Sequence, residues 1–108
     1  MEVHTFTHEV FGTIRAVVED GNVWYCGVDA ARGLEFNHLK DVIKKHTFED
    51  EWMYFPLPDK HNYVQPTKCL KERCIYRLML YSKRKYLQRY ESWFTNTVVQ
   101  TMKGFEGK

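Results

Sequence analysis

No apolar run in this 108-residue chain approaches the ~20 residues that a membrane-spanning helix needs. The opening Met1-Glu2-Val3-His4 has no basic stretch followed by an apolar one, so it does not read as a secretory signal. Serine is nearly missing. Ser82 and Ser92 are the only two, and neither sits in a glycine-flanked strand-to-helix elbow, which removes the usual serine nucleophile. The six glycines are scattered, so there is no glycine-rich loop to cradle a nucleotide phosphate. Only three cysteines occur, Cys26, Cys69 and Cys74. An odd number without a signal peptide points to free thiols in a reducing, intracellular compartment. The prolines, Pro56, Pro58 and Pro66, fall mid-chain, with no linker, repeat or low-complexity tract. A single domain over 1–108 is therefore expected.

Metal and catalytic candidates are thin. His4 and His8 stand four residues apart, and Cys69 and Cys74 are separated by four residues, a tolerable zinc spacing. The cysteine pair is placed inside a helix and lacks a second pair, and His46 and His61 are scattered, so buried cysteine and surface histidine is the better reading. Carboxylates paired for acid–base work are absent. Asp29 reads as a helix cap and Glu49-Asp50-Glu51 as a solvated loop. No cofactor is implied, and an enzyme has no motif behind it.

What the chain does have is apolar mass and lopsided charge. It is 44% hydrophobic, 28% charged and 16% aromatic, enough for a folded core. The net charge of +2 conceals an asymmetry. Residues 1–67 hold 6 basic and 11 acidic side chains, whereas Lys68 to Arg89 hold 8 basic ones and a single acid, Glu72. Such concentration suits a polyanionic partner, although a solvated helix face would also produce it.

The pattern predicts an α+β fold, a small antiparallel sheet with helices packed on it, in the order β-β-α-α-β-β-α-α. Val10–Val18 and Val23–Cys26 flank Asp20-Gly21, a hairpin signal, with Trp24 or Tyr25 facing the C-terminal helices. Asp29 would cap a helix over Ala30–Leu34, and Asn37 or His38 would begin another that ends at His46. Trp52–Leu57 and Tyr63–Gln65 read as strands around a turn. Thr67 would cap a helix over Lys68–Tyr81. A last helix would run from about Lys83 to Lys103, with Leu87, Tyr90, Phe94, Val98 and Met102 inward and Gly104 as its stop.

In the basic segment, Tyr76, Tyr81, Tyr86 and Tyr90 interleave with Arg77, Lys83, Arg84, Lys85 and Arg89. Cationic side chains neutralise phosphates and rings stack on unpaired bases. The candidate nucleic-acid-binding set is Arg77, Lys83, Arg84, Lys85, Arg89, Tyr81 and Tyr86. At least two of the four tyrosines are expected in core or boundary packing instead.

The order and wording of the chain resemble the Bro-N domain, the N-terminal domain of baculovirus BRO proteins and phage antirepressors. The matching pieces are Phe11-Gly12-Thr13-Ile14-Arg15, Val23 through Ala31, Leu34-Glu35-Phe36, Lys44-Lys45-His46, Ile75 through Ser82, and Trp93-Phe94 through Val98-Val99 to Lys103-Gly104-Phe105. The chain departs from the family at Glu35, where glycine is usual, at Lys85-Tyr86-Leu87, where proline and alanine are usual, and near Gln100, where the family often has proline. Members usually carry a second, C-terminal domain, so a stand-alone copy or an excised domain is expected. The resemblance implies a DNA-binding viral or phage regulatory domain, intracellular, in the host nucleus or cytoplasm according to the virus. Its partners would be DNA or single-stranded nucleic acid, with no membrane. The alternative is an antirepressor module docking on a repressor or host regulatory protein. Self-association into a homo-oligomer stays open.

Overall fold

The computed structural model describes residues 1–107, so Lys108 lies outside the described residues. Five strands form one antiparallel sheet: β1 (Glu2–His8), β2 (Gly12–Glu19), β3 (Asn22–Cys26), β4 (Trp52–Pro58) and β5 (Val64–Leu70), in the order β1-β2-β3-β5-β4. Helices α1 (Gly27–Gly33) and α2 (Leu39–His46) follow β3, and α3 (Glu72–Tyr81) follows β5. Helix α4 (Leu87–Trp93) continues through a π-helical turn, Phe94–Val99, into Gln100–Met102. The expected α+β class and the β2–β3 hairpin are present. Asp20 and Gly21 both take positive φ at its turn, where a tight hairpin requires it.

The sheet has two buried faces. On one, Ile14, Ala16, Tyr25 and Leu70 meet Ile75, Leu78, Tyr90, Phe94, Val98 and Met102 from the helices. Tyr25 packs edge-on against Phe94 at 5.1 Å, which is the inward ring that the hairpin pattern predicts. On the other face Val17, Trp24 and Cys26 pack against Phe55, Leu57 and Cys69. The β4–β5 ribbon therefore folds over the back of the β2–β3 ribbon. The two ribbons are joined in register only at Tyr25↔Leu70 and Cys26↔Cys69.

Several boundaries differ from the sequence expectation, each for a physical reason. Strand β1 is additional. Its half-buried positions are His4, Phe6 and His8, so the alternation is written mostly in histidine and reads as polar. Strand β5 runs to Leu70 and takes up Thr67, Lys68 and Cys69, because pairing with β4 from Trp52↔Leu70 to Pro58↔Val64 overrides their helical spacing. Thr67 is thus no cap, and Cys69 and Cys74 lie on different elements. Helix α3 begins at Glu72 after Lys71. The residues Lys83–Tyr86 are not helical, and α4 starts at Leu87. Gly104 falls in a 3-10 turn after the helix has already ended at Met102.

Two acidic residues also change role. Asp29 is buried within the first turn of α1, which no side chain caps. Its carboxylate instead accepts from the Arg15 backbone N–H at 3.0 Å and from Arg15 Nε at 2.8 Å. Helix α2 follows His38, again without a side-chain cap. Glu51 is only 1% exposed, not solvated. It closes a 3-10 turn, Glu49–Glu51, and accepts from Arg73 and Arg77.

Candidate nucleic-acid interface

The β1–β2 turn, the Ser82–Tyr86 connection and the outer side of α4 enclose a groove of about 550 Å³. Its wall is built locally. Helix α3 stops because Ser82 leaves helical geometry and donates from Oγ to the Leu34 carbonyl at 2.9 Å, while accepting from the Arg84 backbone N–H at 3.1 Å. Tyr86 then turns the chain with φ 60 and ψ 37 and begins α4. That left-handed corner lifts the Tyr86 ring, 67% exposed, to the rim, where the Arg89 guanidinium lies 5.0 Å from its centre.

The opposite wall comes from the β1–β2 turn. His8 Nδ1 accepts from the backbone N–H groups of Val10 and Phe11, at 3.0 and 3.3 Å, which assigns the ring proton of a neutral imidazole to Nε2. The imidazole stacks on Phe11 at 4.4 Å and meets the edge of Trp93 at 5.3 Å. Phe11 and Trp93 each pack on the buried Tyr90 ring. An aromatic floor therefore lies beneath the basic rim. Ser92, Asn96 and Thr97 add hydroxyl and amide groups along α4 and its π-helical turn.

Of the residues proposed from sequence, Arg84, Lys85, Tyr86 and Arg89 meet at this groove. Lys83 is exposed beside it in the chain. Lys83, Lys85 and Arg89 enter no ion pair among the described residues. Arg84 is held inward: its side chain is 10% exposed, Nη1 donates to the Gly33 carbonyl and to Glu35, and its guanidinium covers Phe11 at 4.8 Å. Arg77 lies elsewhere, gripping Glu51 and the His46 carbonyl. Tyr81 also points away from the groove and stacks on His46 at 4.1 Å. Burial, with Lys45 and Arg77 nearby, holds the His46 imidazole below its ordinary range, so at neutral pH this stack involves a neutral ring.

His8, Trp93, Asn96 and Thr97 were not legible as site residues. His8 depends on the unrecognised β1, and Asn96 and Thr97 face the groove from a π-helical turn that helical spacing does not anticipate. Trp93 gave a weak signal, flanking the inward positions of the last helix.

Among the described residues, no three His, Cys, Asp or Glu side chains converge as metal ligands, and no helix is long and apolar enough to cross a membrane. No curated protein and no solved structure matches the chain. The family model of Bro-N, the BRO family N-terminal domain, matches residues 13–100. That span takes in the β2–β3 hairpin, all four helices and most of the groove's basic rim, and by it the chain belongs to the BRO family as a Bro-N domain.

Proposed function

We propose that this domain binds nucleic acid, DNA in particular, through the groove between the β1–β2 turn and α4. Membership of the Bro-N family is consistent with a DNA-binding or antirepressor-type regulatory domain, and this is not a known enzyme family. The single observation that carries the reading is the gathering of Lys85, Arg89 and Tyr86 over an aromatic floor, with Lys83 alongside. Unpaired cations supply phosphate contacts and the release of counterions, and the exposed ring supplies a stacking platform. Arg77 grips Glu51 and the His46 carbonyl away from the groove, and Arg84 is held at its edge by the Gly33 carbonyl and Glu35, so neither counts among the phosphate contacts. A viral or phage regulatory role inside the host cell is the setting we propose for this binding, in keeping with the family match.

One observation favours the second reading, an antirepressor module. The β4–β5 ribbon exposes Met53, Tyr54, Tyr63 and Val64, apolar surface of the kind a protein partner covers.

Fluorescence anisotropy against single- and double-stranded oligonucleotides at several salt concentrations tests the choice. Three phosphate contacts give a slope of log K against log salt of about −2 to −3, at roughly 0.7–0.9 per phosphate. Changing Lys83, Lys85 and Arg89 together to Ala should remove most of that slope and weaken all sequences alike. A folded triple variant that binds as tightly as wild type at every salt overturns the proposal and leaves the β4–β5 ribbon as the leading surface.

A further inference from the structure

Cys26 and Cys69 stand directly opposite each other on β3 and β5. Both are fully buried free thiols on the same face of the sheet, within the core between the two ribbons. Directly opposed residues on antiparallel strands have Cα atoms about 4.5–5.5 Å apart, inside the ~4.4–6.8 Å window of a disulfide. A third group joins them: Arg15 Nη2 donates to Cys26 Sγ at 3.4 Å. The same guanidinium donates to Asp29 and to the Pro58 carbonyl, the latter at 2.6 Å, so it is fixed against both ribbons. Nothing in the nucleic-acid groove uses these residues.

We propose that Cys26 and Cys69 are an oxidative modification site, a dithiol that a peroxide converts to an intramolecular cross-strand disulfide, with Cys26 as the attacking sulfur. The Cys26 thiolate attacks one peroxide oxygen, and the O–O bond breaks. With hydrogen peroxide this leaves a sulfenic acid on Cys26 and releases hydroxide. The Cys69 sulfur then attacks the sulfenic sulfur, its proton leaving with the displaced hydroxyl as water. In sum two thiols and one hydrogen peroxide give one disulfide and two waters; both sulfurs are oxidised and both peroxide oxygens reduced.

The environment distinguishes the sulfurs. The contact with the facing Cys69 thiol, the Asp29 backbone N–H and the charge of Arg15 together hold the Cys26 thiol below its ordinary range, against burial and the Asp29 carboxylate. The same contact and burial push Cys69 up. Thiolate character, not thiol content, sets reactivity. Cys74 is an internal control. It is buried on α3, and burial and Glu51 push its thiol up to about 11. Access for a molecule as small as a peroxide needs only local opening, and the β3–β5 seam has just two residue pairs to open. The disulfide would then lock that seam.

The test uses the full chain, folded, treated with hydrogen peroxide and then mapped. The expected result is a loss of two hydrogens by intact mass, a peptide joining Cys26 to Cys69, an alkylatable Cys74, and full reversal by dithiothreitol. A Cys69→Ala variant should accumulate a dimedone-reactive sulfenic acid on Cys26. The wild-type mapping needs no variant, so it decides the matter even if Cys69→Ala does not fold. Persistence of both thiols under peroxide that oxidises a reactive control thiol, a disulfide formed only in denaturant, or linkage through Cys74 or between chains would each overturn the proposal.

Discussion

The carboxylate of Glu51 and the guanidinium of Arg77 form a two-pronged ion pair, Nη1 to Oε1 at 2.6 Å and Nη2 to Oε2 at 2.9 Å, across the boundary between the pre-β4 turn and α3. Arg73 Nε adds a third contact at 2.6 Å, and the Phe48 backbone N–H a fourth at 2.9 Å. Such a buried carboxylate is tolerable only because its oxygens are satisfied. Removing Arg77 strips two of these four contacts from a buried carboxylate that Arg73 still partly matches, at a cost of up to about 3–5 kcal/mol, that of a broken buried pair. Arg77→Ala should therefore destabilise the domain severely. Arg77→Lys should be only partly tolerated, since an ammonium cannot reproduce the fork. Urea denaturation measures both. A loss below about 1 kcal/mol for Arg77→Ala would return Arg77 to the candidates for phosphate contact.

The same pair sets an acid dependence. The Arg77 hydrogen bonds hold the Glu51 carboxyl well below the usual carboxylate range, with Phe48 and Arg73 acting in the same direction and burial opposing. A depressed folded-state value gives stability that is present above the unfolded value of about 4.3 and is lost as pH falls toward the folded value. Unfolding free energy should thus decline as pH drops below about 4. In Glu51→Gln the decline should be shallower from a lower starting point. Parallel curves for the two proteins would count against the pair as an acid-labile element.

Gly33 sets two opposed effects against each other. An alanine there would gain about 1 kcal/mol of helix propensity in α1. Its Cβ, however, would stand 2.9 Å from a ring carbon of Tyr90 and 3.1 Å from the Phe11 carbonyl oxygen. Tyr90 is 1% exposed and wedged among Phe11 and Trp93, so it cannot step aside. Overpacking of this kind costs about 1–3 kcal/mol. Gly33→Ala should lose up to about 2 kcal/mol on thermal or urea unfolding; a stabilised variant would mean that the aromatic floor yields.

Glu35 sits at φ 63, where glycine is free and glutamate is strained. Its carboxylate meets Arg84 at 2.6 Å but is itself 61% exposed. Glu35→Gly relieves about 1 kcal/mol of backbone strain, loses a half-exposed pair worth at most about 1 kcal/mol, and adds freedom to the unfolded chain. The net change should stay within about 1 kcal/mol. Arg84→Ala should cost more, about 1–3 kcal/mol, because the Gly33 carbonyl and the Phe11 face lose their partner as well. If Glu35→Gly proves the more damaging, the ion pair rather than the backbone governs this corner.

These side chains also mark how much was legible. The hairpin, the inward ring of Tyr25 and the inward run of Leu87, Tyr90, Phe94, Val98 and Met102 followed from local period and turn chemistry, because strand and helix spacing fix which face a residue takes whatever packs against it. Asp29 and Glu51 were misplaced because their partners, Arg15 and Arg73 with Arg77, are distant in sequence. The Lys68–Leu70 segment was misplaced because strand pairing, not propensity, decides it. For the groove, the chain marked a basic, aromatic segment, but only tertiary contacts could separate the cations that are free from those that hold the domain together.

Tyr86 offers a separation of binding from stability. It is the left-handed corner that starts α4, with φ 60, and its ring is 67% exposed beside Arg89. Tyr86→Gly deletes the ring but suits the backbone. Strain relief of about 1–2 kcal/mol is offset by the greater freedom of glycine in the unfolded chain, about 0.4–1 kcal/mol, and by a minor loss of packing. Stability should therefore hold within about 1 kcal/mol or rise. Binding should respond differently. If the ring stacks on an unpaired base, its loss costs about 1–3 kcal/mol, a weakening of roughly 5- to 150-fold for single strands. Duplex binding, which relies on Lys83, Lys85 and Arg89, should change little. Tyr86→Phe, which retains the ring, should bind single strands nearly as wild type does. Anisotropy titrations of the three proteins against matched single- and double-stranded oligonucleotides decide the point. Equal losses for both substrates in Tyr86→Gly would show that Tyr86 shapes the path of the basic connection and does not stack on bases.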